Sequence, residues 1–290
     1  MRAEMRAPPP RNGAHAESST PVRTPECTPA RIHSRSNPTI VQLRKLAHDP
    51  LAYREQGRLW LEGEHLCEAY LVHGQRPALA VVAETAWEQP RWRALADAAE
   101  QVVLVPEALL AALSAQGSAP PLAFVVASPL REQIVADAPS LVLDRVQDAG
   151  NVGTMLRTAA AFGFTQVLAL KGCAGLGAPK VLRAAMGAHF GLHLVEGLDE
   201  AALDALRLPC LAADVHAPAV LHEAALPWPC AWVFGHEGQG LSRTLAARCA
   251  AAYRIPQPGG EESLNVAAAA AVCLYESMRQ RTRRAEKAPR

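Results

Sequence analysis

From Ser140 onward the chain alternates short apolar runs with helical stretches, and this alternation restricts the fold more than any other feature. Leu141–Val146, Gln166–Leu170, Cys210–Ala213 and Ala231–Phe234 read as buried strands. Between and after them, Val152–Phe162 and Pro179–Gly187 read as helices, the second opened by proline, and Leu264–Arg279 as a long Ala-rich helix. Strands that alternate with helices predict an α/β fold whose mostly parallel sheet is covered on both faces.

A second compact α/β pattern precedes it, over residues 39–128. A helical stretch at 39–48 leads into Arg58–Glu64, and Leu79–Val82, Val102–Val105 and Leu122–Val126 follow as strands. Residues 129–139 read as a linker, 140–284 as the second domain and 285–290 as a tail. Residues 1–38, rich in Pro, Ser, Thr and Arg, cannot bury enough surface to offset ordering entropy and are expected to be disordered.

Composition removes several classes of function. The longest apolar run, Val266–Tyr275, falls far short of the ~20 residues of a membrane span, and no apolar signal segment opens the chain. Seven scattered cysteines without a CxxC pair argue against a disulfide framework or a zinc ribbon, so a reducing cytoplasm is the expected location. His189 and His193 lack a third partner, and no metal is expected. The net charge of +1 hides basic ends on an acidic body. Residues 1–47 carry eight basic side chains against three acids and residues 279–290 six against one, a distribution compatible with polyanion contact or with plain solvated tails.

Two glycine clusters, Gly172-x-x-Gly175-x-Gly177 and Gly235-x-x-Gly238-x-Gly240, invite a nucleotide reading. Both reverse the GxGxxG dinucleotide spacing, and neither ends in the GK[ST] of a phosphate loop. NAD, ATP and the common Rossmann-like methyltransferase fold therefore lose ground. The second cluster follows a buried strand and precedes a helix start, which places it at the C-terminal edge of a parallel sheet, where α/β proteins bind ligands.

Three segments lie in order along the second domain. The first runs Leu143-Asp144-Arg145-Val146-Gln147-Asp148-Ala149-Gly150-Asn151-Val152-Gly153-Thr154-Met155-Leu156-Arg157-Thr158-Ala159 and closes with Phe162-Gly163. The second is Gly235-His236-Glu237-Gly238-Gln239-Gly240-Leu241, and the third spans Ile255-Pro256 to Ser263-Leu264-Asn265-Val266. The set closely resembles the SpoU (TrmH-like) branch of the SPOUT RNA methyltransferases, over roughly residues 140–282. Gln257 and Ala267 depart from it, standing where methionine and serine are frequent. The segment Gly57 to Gly63 is similar to that family's substrate-binding domain, which resembles a ribosomal protein.

The resemblance implies a trefoil-knotted catalytic domain, S-adenosyl-L-methionine (AdoMet) as cofactor, a homodimer with its active site at the subunit interface, and transfer of methyl to a ribose 2′-hydroxyl. Its substrate would be rRNA, with tRNA or a non-catalytic RNA-binding role as alternatives. It points to Asn151, Arg157, Glu237, Ser263 and Asn265 as catalytic, and to Gly235, Ile255 and Leu264 as cofactor contacts made largely through the main chain. Arg157 would act either in deprotonating the hydroxyl or, as its high pKa favours, in holding the target phosphate and the developing alkoxide. Asn151 and Ser263 could equally serve as helix N-caps. Glu237 would orient the site or partner an arginine such as Arg157 of the other subunit. Arg44, Lys45, Arg54 and Arg58 form a candidate RNA-contacting cluster, with Trp60 nearby in a core or stacking role.

Overall fold

The computed structural model describes residues 29–114, 119–259 and 264–287. Its first sheet contains β1 (Ala30–Arg31), β2 (Arg58–Glu62), β3 (Leu79–Ala83), β4 (Gln101–Val105) and β5 (Leu122–Ala127), in the order β1-β4-β3-β5-β2. Strand β5 runs antiparallel to both β3 and β2, while β1, β3 and β4 are parallel. Helices α1 (Pro38–His48), α2 (Ala52–Gln56), α3 (Glu64–Val72), α4 (Glu84–Trp87), α5 (Pro90–Ala96) and α6 (Glu107–Leu113) surround it.

The second sheet contains β6 (Ser140–Leu143), β7 (Gln166–Leu170), β8 (His193–Leu198), β9 (Cys210–Ala213), β10 (Ala231–Phe234) and β11 (Ala251–Tyr253). All its pairings are parallel, in the order β11-β9-β10-β6-β7-β8. Its helices are α7 (Ala149–Ala161), α8 (Pro179–Ala185), α9 (Arg243–Arg248) and α10 (Val266–Lys287). Alternation along the strands divides the side chains between two cores. Leu141, Leu143, Trp232 and Phe234 join Met155 of α7 and Cys273 of α10 on one face, and Val142, Ala231 and Val233 join Leu245 of α9 on the other. Trp232 Nε1 donates to Ser277 Oγ across 2.8 Å, so the last helix is tied to the central strand by a satisfied buried polar pair.

Strand order explains why distant segments meet. The chain leaves β6 toward β7 and β8 on one side, then returns to lay β10 against the other side of β6. The β6–β10 boundary is thus a topological switch point, where the loops after two neighbouring strands part and leave a crevice. The first motif follows β6 and the second follows β10.

The structure differs from expectation in two connecting regions. Residues 1–28 lie outside the described residues, but Ala30–Arg31, inside the segment expected to be disordered, pair with Val103 and Leu104 of β4, and α1 begins at Pro38. The expected linker is fastened to the second sheet. Arg131 N–H donates to Leu194 O, and the Val135 backbone exchanges hydrogen bonds with the Gln166 side chain. Backbone pairing orders both segments, a gain invisible in side-chain composition.

Candidate active site

Helix α7 is capped by Asp148, whose side chain accepts from Asn151 N–H at 2.7 Å. The cap expected of Asn151 therefore belongs to the residue three positions earlier, and the Asn151 side chain is free for other partners. Its Nδ2 donates to Glu237 Oε1 at 3.1 Å, and its Oδ1 accepts from Asn265 Nδ2 at 3.0 Å. One polar chain, Glu237–Asn151–Asn265, thus joins all three motifs, across separations of 86 and 114 residues. Asn265 also caps α10, with Oδ1 accepting from Ala267 N–H and Ala268 N–H. Ser263, the residue expected to share that role, lies outside the described residues.

Burial would raise the Glu237 pKa. Hydrogen bonds from its own backbone N–H, from Asn151 and from the Asp148 and Gln147 backbone outweigh that effect and hold it below the usual carboxylate range. Glu237 is accordingly an anion at neutral pH and an acceptor for Asn151. Its loop is a tight turn, since His236 N–H donates to Gly240 O at 3.1 Å and Gly240 N–H returns to His236 O at 2.8 Å. Glycine is required at 235 because a Cβ there would lie 2.3 Å from the Gly240 carbonyl, in space the backbone already fills.

This loop forms one wall of a cavity of about 580 Å³ at the C-terminal ends of β9, β10 and β11. Gly235, Ile255 and Leu264, the expected cofactor contacts, all line it, as do Glu237, Phe234, Leu241 and Val266. The volume lies within the range that encloses a cofactor-sized molecule, and apolar walls beside main-chain edges suit a flat heteroaromatic ring with polar rims. The residues present fit AdoMet: Ile255 and Leu264 offer apolar faces to an adenine, and Gly235, Leu241 and Gln257 stand in the same wall for its polar groups.

Arg157 is exposed on α7 and makes no hydrogen bond or ion pair with any described residue. Within one chain it does not join the Glu237–Asn151–Asn265 group. Lys45 and Arg54, expected at an RNA surface, are engaged instead. Lys45 pairs with Glu55, and Arg54 Nε donates to Glu196 at 2.7 Å. Arg44 and Arg58 make no such pairing, and Arg58 opens the edge strand β2. Trp60 is buried, which assigns it to the core.

Two residues next to the site escaped sequence reasoning. Asp144 is 2% exposed and grips Arg145 through two hydrogen bonds of 2.9 and 3.0 Å, while accepting from Ser242 N–H. Burial works against ionisation of Asp144, but Arg145 and the Ser242 N–H more than compensate and keep its pKa low. Arg145 adopts φ 54, a left-handed conformation that costs an L-residue with a Cβ ~1–2 kcal/mol. The only sequence signal was an Asp-Arg pair ending a buried strand. The histidines hold no shared ligand: His189 bonds Leu176 O and His193 bonds Gln133 O. Among the described residues no cluster of three or more potential metal ligands occurs, and no helix is long and apolar enough to cross a membrane.

Residues 138–275 match the SpoU rRNA Methylase family. An uncharacterized tRNA/rRNA methyltransferase of Synechocystis sp. is 36% identical over 266 residues, covering 87% of this chain and 94% of the relative. The chain belongs to the SpoU family. The 23S rRNA (guanosine(2553)-2′-O)-methyltransferase RlmP of Bacillus subtilis is 29% identical, over 84% of this chain and 98% of RlmP. The fold is shared with the SpoU methyltransferase AviRb of Streptomyces viridochromogenes, solved in complex with AdoMet. There the TM-score is 0.77 at 24% identity, with coverage of 85% of this chain and 98% of AviRb. The relatives thus extend over both domains, and the family's SPOUT-type α/β fold is the one observed.

Proposed function

We propose that the chain transfers a methyl group from AdoMet to a ribose 2′-hydroxyl of RNA, with rRNA as the substrate class. The observation that carries this reading is the joining of Asn151 and Asn265 to Glu237, itself in the wall of a cavity lined by Gly235, Ile255 and Leu264. Family membership and the rRNA specificity of RlmP support it.

AdoMet supplies the electrophile, a methyl group on a sulfonium cation. The protein's task is to orient and polarise a hydroxyl that is a poor nucleophile at neutral pH. Glu237, ionised and braced by backbone donors, fixes the Asn151 amide, and Asn151 in turn fixes Asn265 at the start of α10. Arg157, an unpaired cation on the helix that carries Asn151, is suited to hold the target phosphate and stabilise the developing alkoxide. Its lack of any bond to that group within one chain supports a site completed by a second copy. The same inference draws on α10, where Val272 and Tyr275 are 41% and 48% exposed and Tyr275 stacks edge-on with Phe162, the residue that caps α7. These exposed apolar side chains, on the helix packed against the α7 that carries Arg157, suit a homodimer interface. Family membership supports a trefoil knot in the second domain. Of the four basic residues expected to contact RNA, Arg44 and Arg58 are the ones not engaged within the chain.

The test is methyl transfer from radiolabelled AdoMet to total RNA of cells lacking this protein, with tRNA and the large rRNAs then separated. Label in rRNA, resistant to alkali at one dinucleotide, is the expected result. Label in tRNA corrects the substrate class. Absence of both label and AdoMet binding replaces the enzyme with an RNA-binding protein of the same fold.

A further inference from the structure

We infer that Arg145 is a positioning residue for the cofactor: its guanidinium latches the Gly235–Leu241 loop onto the end of β6 and thereby sets the shape of the cavity. The inference rests on the AdoMet reading given above. Arg145 lies outside the cavity lining and touches none of Glu237, Asn151 or Asn265, so its action is through the loop.

The geometry is that of a fork closed on both sides. Nε and Nη2 engage the two oxygens of the buried Asp144 carboxylate, at 2.9 and 3.0 Å. Nη1 reaches Gln239 Oε1 at 3.0 Å, and Nη2 also reaches Gly240 O at 3.3 Å. Gln239 and Gly240 are themselves cavity wall. Asp144 accepts from Ser242 N–H as well, so both members of the pair hold the far end of the loop. Its near end is held by Asn151 and by Asp148 N–H, both on Glu237. The loop is therefore fixed at two points to the segment that follows β6. Without Arg145 the far end keeps only the Asp144–Ser242 bond, and Gln239 and Gly240, the wall residues, lose their tie to β6.

Arginine at this position is not explained by the backbone. With φ 54 the site favours glycine, and an L-residue persists in such a conformation where its surroundings require it. The surroundings also make room for it, since Gly172 would place a Cβ 3.1 Å from Arg145 Cγ. Lysine could not reproduce the arrangement, because a single ammonium lacks the planar fork that meets a carboxylate and two further acceptors together.

Arg145→Gly separates side chain from backbone, since glycine accepts the conformation without strain. Calorimetric titration of the full chain with S-adenosylhomocysteine is expected to show about tenfold weaker binding for Arg145→Gly and an intermediate loss for Arg145→Lys. In steady-state methyl transfer, KM for AdoMet rises by the same factor while kcat at saturating AdoMet falls less than about twofold. A merely structural role would lower thermal stability without that split. Equal affinity in wild type and Arg145→Gly, or a loss confined to kcat, overturns the latch and leaves the cofactor reading intact. Should Arg145→Gly not fold, Arg145→Lys decides by the same criteria. Failure of the wild-type protein to bind S-adenosylhomocysteine removes the cofactor reading and the latch with it.

Discussion

The two glycine clusters have the same spacing and opposite duties. At 235–240 the chain turns back so tightly that the backbone of Gly240 and Leu241 occupies the place of a Gly235 side chain, and the turn becomes a cavity wall. At 172–177 the missing side chains admit a residue from the other domain. A Cβ at Gly175 would lie 2.5 Å from Tyr53 Oη, and one at Gly177 2.5 Å from Tyr53 Cδ2. The Tyr53 hydroxyl then bonds Glu196 at 2.6 Å, a carboxylate that also accepts from Leu176 N–H within the cluster and from Arg54. The seam continues at Gly187, packed on Ala69, and at Phe190, edge-on to Tyr70. One cluster builds the candidate cofactor site, and the other seals the domains together. Glycine spacing records that something comes close, not what it is.

The largest expected effect breaks the second cluster. Gly235→Ala has no side chain to push aside, only backbone, so S-adenosylhomocysteine affinity should fall by more than about a hundredfold. Titration calorimetry checks this, and retained affinity would show that the loop can rearrange. Gly177→Ala should instead destabilise the fold by ~1–3 kcal/mol through overpacking against the Tyr53 ring, while cofactor affinity stays within about twofold. Denaturant midpoints measured alongside the titration separate the two effects. If Gly177→Ala weakens cofactor binding as strongly as Gly235→Ala, the division of duties fails.

Tyr53→Phe removes only the hydroxyl and leaves Glu196 with Arg54 and the Leu176 N–H. A loss of about 1 kcal/mol is expected by urea unfolding. A comparable shift comes from pH. His189, buried beside the first cluster with its Nε2 on Leu176 O, has its pKa lowered by burial to about 4. Below the ordinary histidine pKa of about 6.5 the unfolded chain takes up a proton that the folded chain refuses, so stability falls as pH drops from about 6.5 toward 4. Between pH 7.5 and 5.5 wild type should lose about 1 kcal/mol more than His189→Gln. Parallel urea curves would sever His189 from this pH dependence.

Four of the six strands of the second sheet, β6, β7, β9 and β10, and its principal helices were legible because their periodicity is local, whereas the edge strands β8 and β11 were not among the strands read. Buried strands such as Leu141–Leu143 and Ala231–Phe234 repeat apolar residues without interruption, and α7 and α10 carry apolar residues at helical spacing. The segment around residues 30–38 was misread because its order comes from a backbone ladder with β4, which no side-chain pattern reports. Of the candidate site, Asn151, Glu237 and Asn265 were legible as motif residues, and Gly235, Ile255 and Leu264 as cavity positions. Both sets were legible through the resemblance of the three motifs to the SpoU family.

What the sequence by itself determined, then, is which residue types stand at the ends of which strands, since loop chemistry and strand period are properties of neighbours along the chain. Only the tertiary structure decided their partners. It gave the cap of α7 to Asp148 and freed Asn151 to bridge Glu237 and Asn265. It turned Arg54 from a free cation into part of the domain seam, through a carboxylate 142 residues away. It also set Arg145 across the loop that follows β10. Such pairings depend on strand order, on β10 lying against β6 rather than beyond β8, and strand order is fixed by packing over the whole sheet.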